Sequence, residues 1–250
     1  MTTIRTLLIT LLLISSLSAG NINIAVAANV SYAIDDLKKE FNKLHPNTNV
    51  RVTLGGSGKL TAQIKYGAPY QIFMSANMLY PDTLYKENLA ITKPFIYAQG
   101  GLAILSNKKQ DFSKGIYLSE DINIKKIAIA NPKTAPYGKA TIEVLKNLKI
   151  YNKIKHKFIY AESIAQTVSY TVTATDIGFV AKSSLYSPKM SEFKKDINWV
   201  DINSSLYTPI NQGIVILKSG KDNDEVKAFY DFIKSNKAKE IFKKFGYIVL

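Results

Sequence analysis

The sequence predicts an α/β protein with largely parallel sheets, built as two lobes joined by crossing strands. Short apolar segments alternate with helical periodicity along almost the whole chain from Asn23. No repeat, low-complexity stretch or flexible linker divides it into consecutive domains. Gly100-Gly101 and Pro209 fall where the chain would cross between lobes and return, which suits lobes that hinge on paired strands. The expected division is residues 21-99 plus 208-250 for the first lobe and residues 100-207 for the second.

The elements follow in order. NINIAVAA is the first strand, and Val30, Ile34, Leu37, Phe41 and Leu44 then recur at helical spacing up to His45-Pro46. NVRVTL is a strand and LTAQIKYG a short helix stopped by Gly67 and Pro69. QIFMSA is the third strand and GLAILS the fourth. Further strands are expected at IAIANP, HKFIYAES, DIGFVAKSS and INWVDI, with helices at GKATIEVLKNL and SIAQTVSYTVT between them. The C-terminal part returns to a strand, GIVILK, followed by two helices whose inward faces carry Val226, Phe229 and Ile233, then Ile241, Phe242 and Phe245.

Residues 1-20 place Arg5 ahead of an apolar run from Leu7 to Leu17 and close on small residues, the layout of a secretory signal. A membrane anchor is the competing assignment. However, Thr10, Ser15 and Ser16 interrupt the run, and it is shorter than the roughly 20 residues a span requires. Export with cleavage after Ala19 or Gly20 is therefore expected, giving a periplasmic protein. With no cysteine there is no disulfide, no thiolate metal site and no lipid-bearing N-terminal cysteine. The formal charge of +14 becomes +13 once Arg5 leaves, a field that attracts anions. The lysines are scattered along helix faces as in KKEFNK and FKKFG, so solvated faces are expected rather than a nucleic-acid surface.

Chemistry is expected at strand-to-helix turns. Ala27-Ala28-Asn29, Ala135-Pro136-Tyr137-Gly138 and Glu162-Ser163-Ile164 each precede a helix. Helix starts carry unpaired N–H groups and partial positive charge, so several aimed at one point bind an anion without any charged side chain. Asn29 and Ser163 suit the N-cap, and Ser163-x-x-Gln166 matches a capping box. The alternative is that these caps only cap.

A fourth turn, Gly55-Gly56-Ser57-Gly58-Lys59, lets backbone approach a ligand and offers the Ser57 hydroxyl. It is not a Walker A loop, because Leu60 follows Lys59 and Thr53 stands where glycine is needed. Nor is it a nucleophile elbow, since Lys59 occupies the second glycine position. The only histidines, His45 and His156, lie in none of these turns, and neither a metal constellation nor a catalytic triad is evident. From the residues alone four readings stay open: turns that only cap their helices, capture of a small oxyanion, a secreted hydrolase using Ser57, and a polyanion-binding surface protein.

Several segments then carry a family resemblance: IAVAANVSYAIDDL, GGSGKLTAQIKYGAP followed by IFMSA, IANPKTAPYGKAT, AESIAQTV with DIGFVA, and VKAFYDFIKSNKAKEIFKKFGY. From about Asn23 onward the chain resembles the periplasmic molybdate-binding proteins of ModA type. The resemblance implies a two-lobed type II periplasmic-binding-protein fold that closes over molybdate or tungstate. It also implies an ABC importer as the membrane partner, a monomeric carrier, no catalysis and no cofactor. Carried over by position, Asn29 would offer its side-chain amide, Ala28 its N–H, Ser57 its hydroxyl and N–H, and Tyr137 and Ile164 their N–H groups from the opposite lobe.

Sulfate and phosphate are the nearest alternative ligands within this fold. An arginine in one of the turns would have favoured a carboxylate ligand, and none of the four has one. Two departures stand out. GFVA ends in Ala181 where some members place a tyrosine on the anion, a contact then lost or supplied by Tyr137. Tyr70-Gln71 replaces an acidic residue expected near the cleft.

Overall fold

The computed structural model describes residues 20–249, so the leader expected over residues 1-20 lies, apart from Gly20, outside the described residues. The first lobe is built on a five-stranded sheet. Its strands are β1 (Asn21–Ala27), β2 (Asn49–Gly55), β3 (Ile72–Ser75), β4 (Phe95–Gly100) and, late in the chain, β10 (Ile210–Ile216). Their order is β2-β1-β3-β10-β4; β1 runs parallel to β2 and β3, and β10 runs antiparallel to β3 and β4.

The second sheet orders β7 (Phe158–Ala161), β6 (Ile127–Ala130), β8 (Ile177–Ala181), β5 (Leu102–Leu105) and β9 (Trp199–Asp201). Here β6 is parallel to β7 and β8, while β5 is antiparallel to β8 and β9. The chain passes from the first sheet to the second between Gly100 and Leu102 and comes back between Asp201 and Ile210. The two-lobed α/β architecture is therefore the expected one.

The central strands β3, β5, β6 and β8 are buried at every position and, apart from Ser75, carry no polar side chain, as central strands in such sheets require. Helices α1 (Ile34–Phe41), α2 (Ser57–Lys65), α3 (Leu79–Lys86), α7 (Asp224–Lys234) and α8 (Asn236–Lys244) serve the first lobe. Its core joins Leu37 and Phe41 to Phe229, Ile233 and Phe242. In the second lobe, α4 (Pro136–Asn147), the single turn α5 (Tyr151–Ile154) and α6 (Ile164–Thr173) play that part. Among the described residues no helix is long and apolar enough to cross a membrane.

The structure departs from expectation at three places. The helix expected to run from Val30 to Leu44 is a 3-10 segment, Ala28–Tyr32, followed by α1; Leu44 is 80% exposed. Tertiary bonds to Asn29 hold that first tight turn, overriding the apolar spacing. Second, α3 and β4 intervene between the third expected strand and GLAILS. Helix α3 buries only Pro81 and Leu84, too little to leave a periodic signal. Third, Gln71 lies at the start of β3, where its side chain accepts from the Asn23 N–H at 2.9 Å. The cleft lies at the other end of these strands, so this departure removes no charge there.

Candidate functional site

The site grows from strand ends. Parallel β1, β2 and β3 all point their C-terminal ends the same way, delivering Ala28, Ser57 and Ala76 together; β6 and β7 do the same for Tyr137 and Ile164. Ala27, Ala28, Ala76, Ala135, Tyr137 and Ile164 belong to one continuous buried cluster that crosses from lobe to lobe. Asn29, Ser57 and Tyr137 are each no more than 1% exposed.

At α2, Gly56 is the N-cap and Ser57 the first helical residue. The Ser57 hydroxyl accepts from the Ala76 N–H at 2.9 Å, which leaves its own hydrogen free to donate. At α4 the N-cap Ala135 has an extended backbone and Pro136 takes the first position, so the free N–H groups begin with Tyr137. Gly138 is essential to that placement: a Cβ there would meet the Ala130 carbonyl oxygen at 2.1 Å. At α6 the Ser163 hydroxyl caps the Gln166 N–H, and the Gln166 side chain accepts from Glu162 N, one residue before the usual capping-box position. The first-turn N–H groups of all three helices have no acceptor within their own helix.

The two lobes meet tightly around this point. The Gly58 N–H donates to Thr134 O across the cleft at 2.9 Å. A Cβ on Gly56 would stand 3.3 Å from Glu162 O. Lys59 and Glu162 form an ion pair between the lobes at the rim. These two charges beside the donor turns answer each other, and the donors themselves are neutral. A cavity of about 480 Å³ lies behind the hinge along Gln99, Gly100 and Tyr207, and another of about 290 Å³ lies between Met78 and Lys139. Neither is lined by Asn29, Ser57, Tyr137 or Ile164.

Asn29 behaves differently from the sequence expectation. It is the second residue of its 3-10 turn and caps nothing. Both amide hydrogens are committed: its Nδ2 donates to Gln212 Oε1 and to the Tyr247 hydroxyl, each at 2.8 Å. Its backbone carbonyl oxygen accepts from Tyr247 at 2.9 Å and from Ser183, in the second lobe, at 3.0 Å. What Asn29 can present to an anion is its backbone N–H, beside that of Ala28. The Tyr137 hydroxyl is turned toward Gly100 and Gln212 and does not take over the contact missing at Ala181.

Gln212, Tyr247 and Ser183 were not legible as part of this arrangement, because each bond spans more than 150 residues of chain. The Ser57 hydroxyl pairs with the Ala76 N–H rather than with a histidine. His45 stacks on Phe41, and His156 lines a lysine-rich cavity at the far end of the second lobe. Among the described residues no three His, Cys, Asp or Glu side chains gather as a metal site requires.

Comparison with known proteins agrees with this architecture. The chain is 36% identical over 239 residues to the molybdate-binding protein ModA of Azotobacter vinelandii, covering 94% of this chain and 93% of that one. It is 34% identical to ModA of Rhodobacter capsulatus, covering 92% and 89%. The solved structure of the A. vinelandii periplasmic molybdate-binding protein superposes with a TM-score of 0.84 at 31% identity, covering 92% of this chain and 99% of that one. A family model described as bacterial extracellular solute-binding protein matches residues 22–248. With that match across nearly the whole described chain, the protein belongs to the bacterial extracellular solute-binding proteins.

Proposed function

We propose that this protein captures molybdate or tungstate between its lobes and delivers it to the membrane subunits of an ABC importer. In this reading it works as a periplasmic, monomeric carrier with neither catalytic activity nor a cofactor. The supporting observation is that helix starts of both lobes meet in one buried cluster holding Ala28, Tyr137 and Ile164; the donors this reading assigns are the N–H groups of Ala28, Asn29, Ser57, Tyr137 and Ile164, with the free hydrogen of the Ser57 hydroxyl. The ModA relatives narrow the choice of oxyanion. Residues 21-99 with 208-250 and residues 100-207 move as the two bodies that shut on the ion.

A donor-only cage suits a fully deprotonated dianion, whose oxygens only accept. A protonated phosphate must also donate, which a cage of donors does not answer. Sulfate has the right charge but shorter bonds, so donors set for a metal oxyanion leave gaps around it. The test is a thermal-shift titration against molybdate, tungstate, sulfate and phosphate, since a ligand that binds only the folded state raises its melting temperature. Shifts with the first two alone are expected. A shift with sulfate or phosphate instead reassigns the ligand, and no shift with any of the four overturns oxyanion capture.

A further inference from the structure

The hinge contains a buried polar hub that the proposed anion contacts do not use. Asn29 and Gln212 of the first lobe are both 0% exposed, and Tyr97, Tyr137 and Tyr247 are at most 4% exposed. Most of the hub is satisfied. Gln212 Nε2 donates to Ile210 O at 2.8 Å, its Oε1 accepts from Asn29, and the Tyr247 hydroxyl both accepts from and donates to Asn29. Three buried polar atoms have no partner: Asn29 Oδ1, an acceptor, and the hydroxyls of Tyr97 and Tyr137, both donors. Leaving such groups unpaired in the interior costs about 1–3 kcal/mol each.

Tyr137 is the one hub member from the second lobe. Its backbone starts α4 at the cleft, while its side chain reaches back into the hinge. There the hydroxyl lies so close over Gly100 that a Cβ at Gly100 would be 2.0 Å from the oxygen and 3.1 Å from Gln212 Nε2. Gln212 joins this hydroxyl to Asn29: its Nε2 lies beside the same point over Gly100, and its Oε1 accepts from the Asn29 amide at 2.8 Å. Burial holds the Tyr137 hydroxyl well above its ordinary pKa, so it is a donor at any physiological pH.

We propose that Tyr137 is a closure bolt: in lobes that already touch at Gly58 and Thr134, the arrival of the anion settles α4 against the hinge and its hydroxyl then donates to Asn29 Oδ1, tying the hinge to the same residue whose N–H faces the anion. The inference rests on the oxyanion-capture reading above. It gives Tyr137 two functions on one residue, at opposite ends of its side chain. It makes Gly100 the seat of the bolt, where any side chain would stop the hydroxyl short. It also explains why Asn29 is held from three sides, because a bolt is useful only if its receiver does not move.

The test is stopped-flow and calorimetric binding of molybdate to the mature protein and four variants. Tyr137→Phe keeps the backbone N–H and the ring but removes the donor. Dissociation is expected to quicken by about three- to tenfold, with the association rate and the ranking of molybdate, tungstate and sulfate unchanged. Tyr97→Phe removes the other unpartnered hydroxyl, from within the first lobe, and is expected to leave dissociation unchanged.

Gly100→Ala is expected to weaken binding, and Tyr137→Phe added to it to restore part of the loss, because the atom in collision is the hydroxyl oxygen. An unchanged dissociation rate in Tyr137→Phe overturns the bolt. So does the tyrosine effect appearing in Tyr97→Phe instead, or a Gly100→Ala penalty that is no smaller when Tyr137→Phe is already present. A wild-type protein that binds none of the anions removes the capture reading and the bolt with it. Wild-type binding with an indifferent Tyr137→Phe removes the bolt alone.

Discussion

Replacing Ser57 with alanine separates a ligand contact from a structural cap, because the hydroxyl takes part in two interactions of different kinds. As acceptor it holds the Ala76 N–H at 2.9 Å in a buried position. As donor it is free for the anion. Alanine leaves the Ala76 N–H buried without a partner, a cost of about 1–3 kcal/mol with or without ligand. For a chain of this size that lowers the melting temperature by about 2 to 12 °C.

The lost bond to a charged ligand is a separate term of about 1.5–3 kcal/mol, which weakens the molybdate dissociation constant roughly ten- to a hundredfold. Urea unfolding of the ligand-free protein reads the first term and calorimetric titration reads the second. A variant that loses stability yet binds molybdate as tightly as the wild type would show that Ser57 only caps and positions, and would remove it from the cage.

Lys59→Ala removes the ion pair that spans the cleft to Glu162; both partners are about half exposed, so affinity should fall by no more than about fivefold and selectivity should not move. A changed molybdate-to-sulfate ratio in a competition titration would place Lys59 against the ligand. Gly138→Ala forces the start of α4 away from the Ala130 carbonyl and with it the Tyr137 N–H, so both melting temperature and molybdate affinity should drop; unchanged affinity by calorimetry refutes that placement. Burial raises the hydroxyl pKa values of Tyr97, Tyr137 and Tyr247, and that of Tyr32 to about 12. A folded pKa above the unfolded one gives stability that is complete below about pH 10 and is lost as pH climbs through the folded values. Unfolding free energy should therefore fall above about pH 10, by up to about 1.4 kcal/mol per pH unit for each such tyrosine, and a flat profile by urea titration to about pH 12 contradicts it.

What the sequence disclosed and what it concealed divide along contact range. The strand ends and helix starts of the site were legible because they are local: Gly55-Gly56-Ser57 and Ser163-x-x-Gln166 carry their turn and cap chemistry within a few residues. The hydrophobic strands were legible for the same reason, apart from β4, which runs into β5 with only Gly101 between them. Helix α3 was hidden because eight residues with two buried side chains leave almost no periodicity. Asn29 misleads in kind. A short polar residue after a strand suggests a cap or a ligand amide, but its side chain is claimed by Gln212 and Tyr247, 183 and 218 residues away. No local pattern announces a partner at that separation.

The charge of the protein bears on the ligand less than its size suggests. Residues 121–160 hold nine lysines against Asp121 and Glu143, a net of +7 and half the total of +14. Lys125 and Lys126 precede β6, Lys153, Lys155 and Lys157 precede β7, and Lys146 and Lys149 end α4 or follow it. These seven therefore gather at the end of the second sheet opposite the cleft. Screening reaches about 10 Å at ordinary ionic strength, so that pole contributes little at the donor cluster. On the proposed reading, binding strength then comes from desolvated N–H groups and the Ser57 hydroxyl, whose fields act at contact distance. The molybdate dissociation constant should change by less than about threefold between low and moderate salt, while any polyanion held on the lysine pole should be lost steeply over the same range. A molybdate affinity that fell with salt as steeply as a polyanion's would mean that mobile surface cations, rather than the neutral cage, hold the ion.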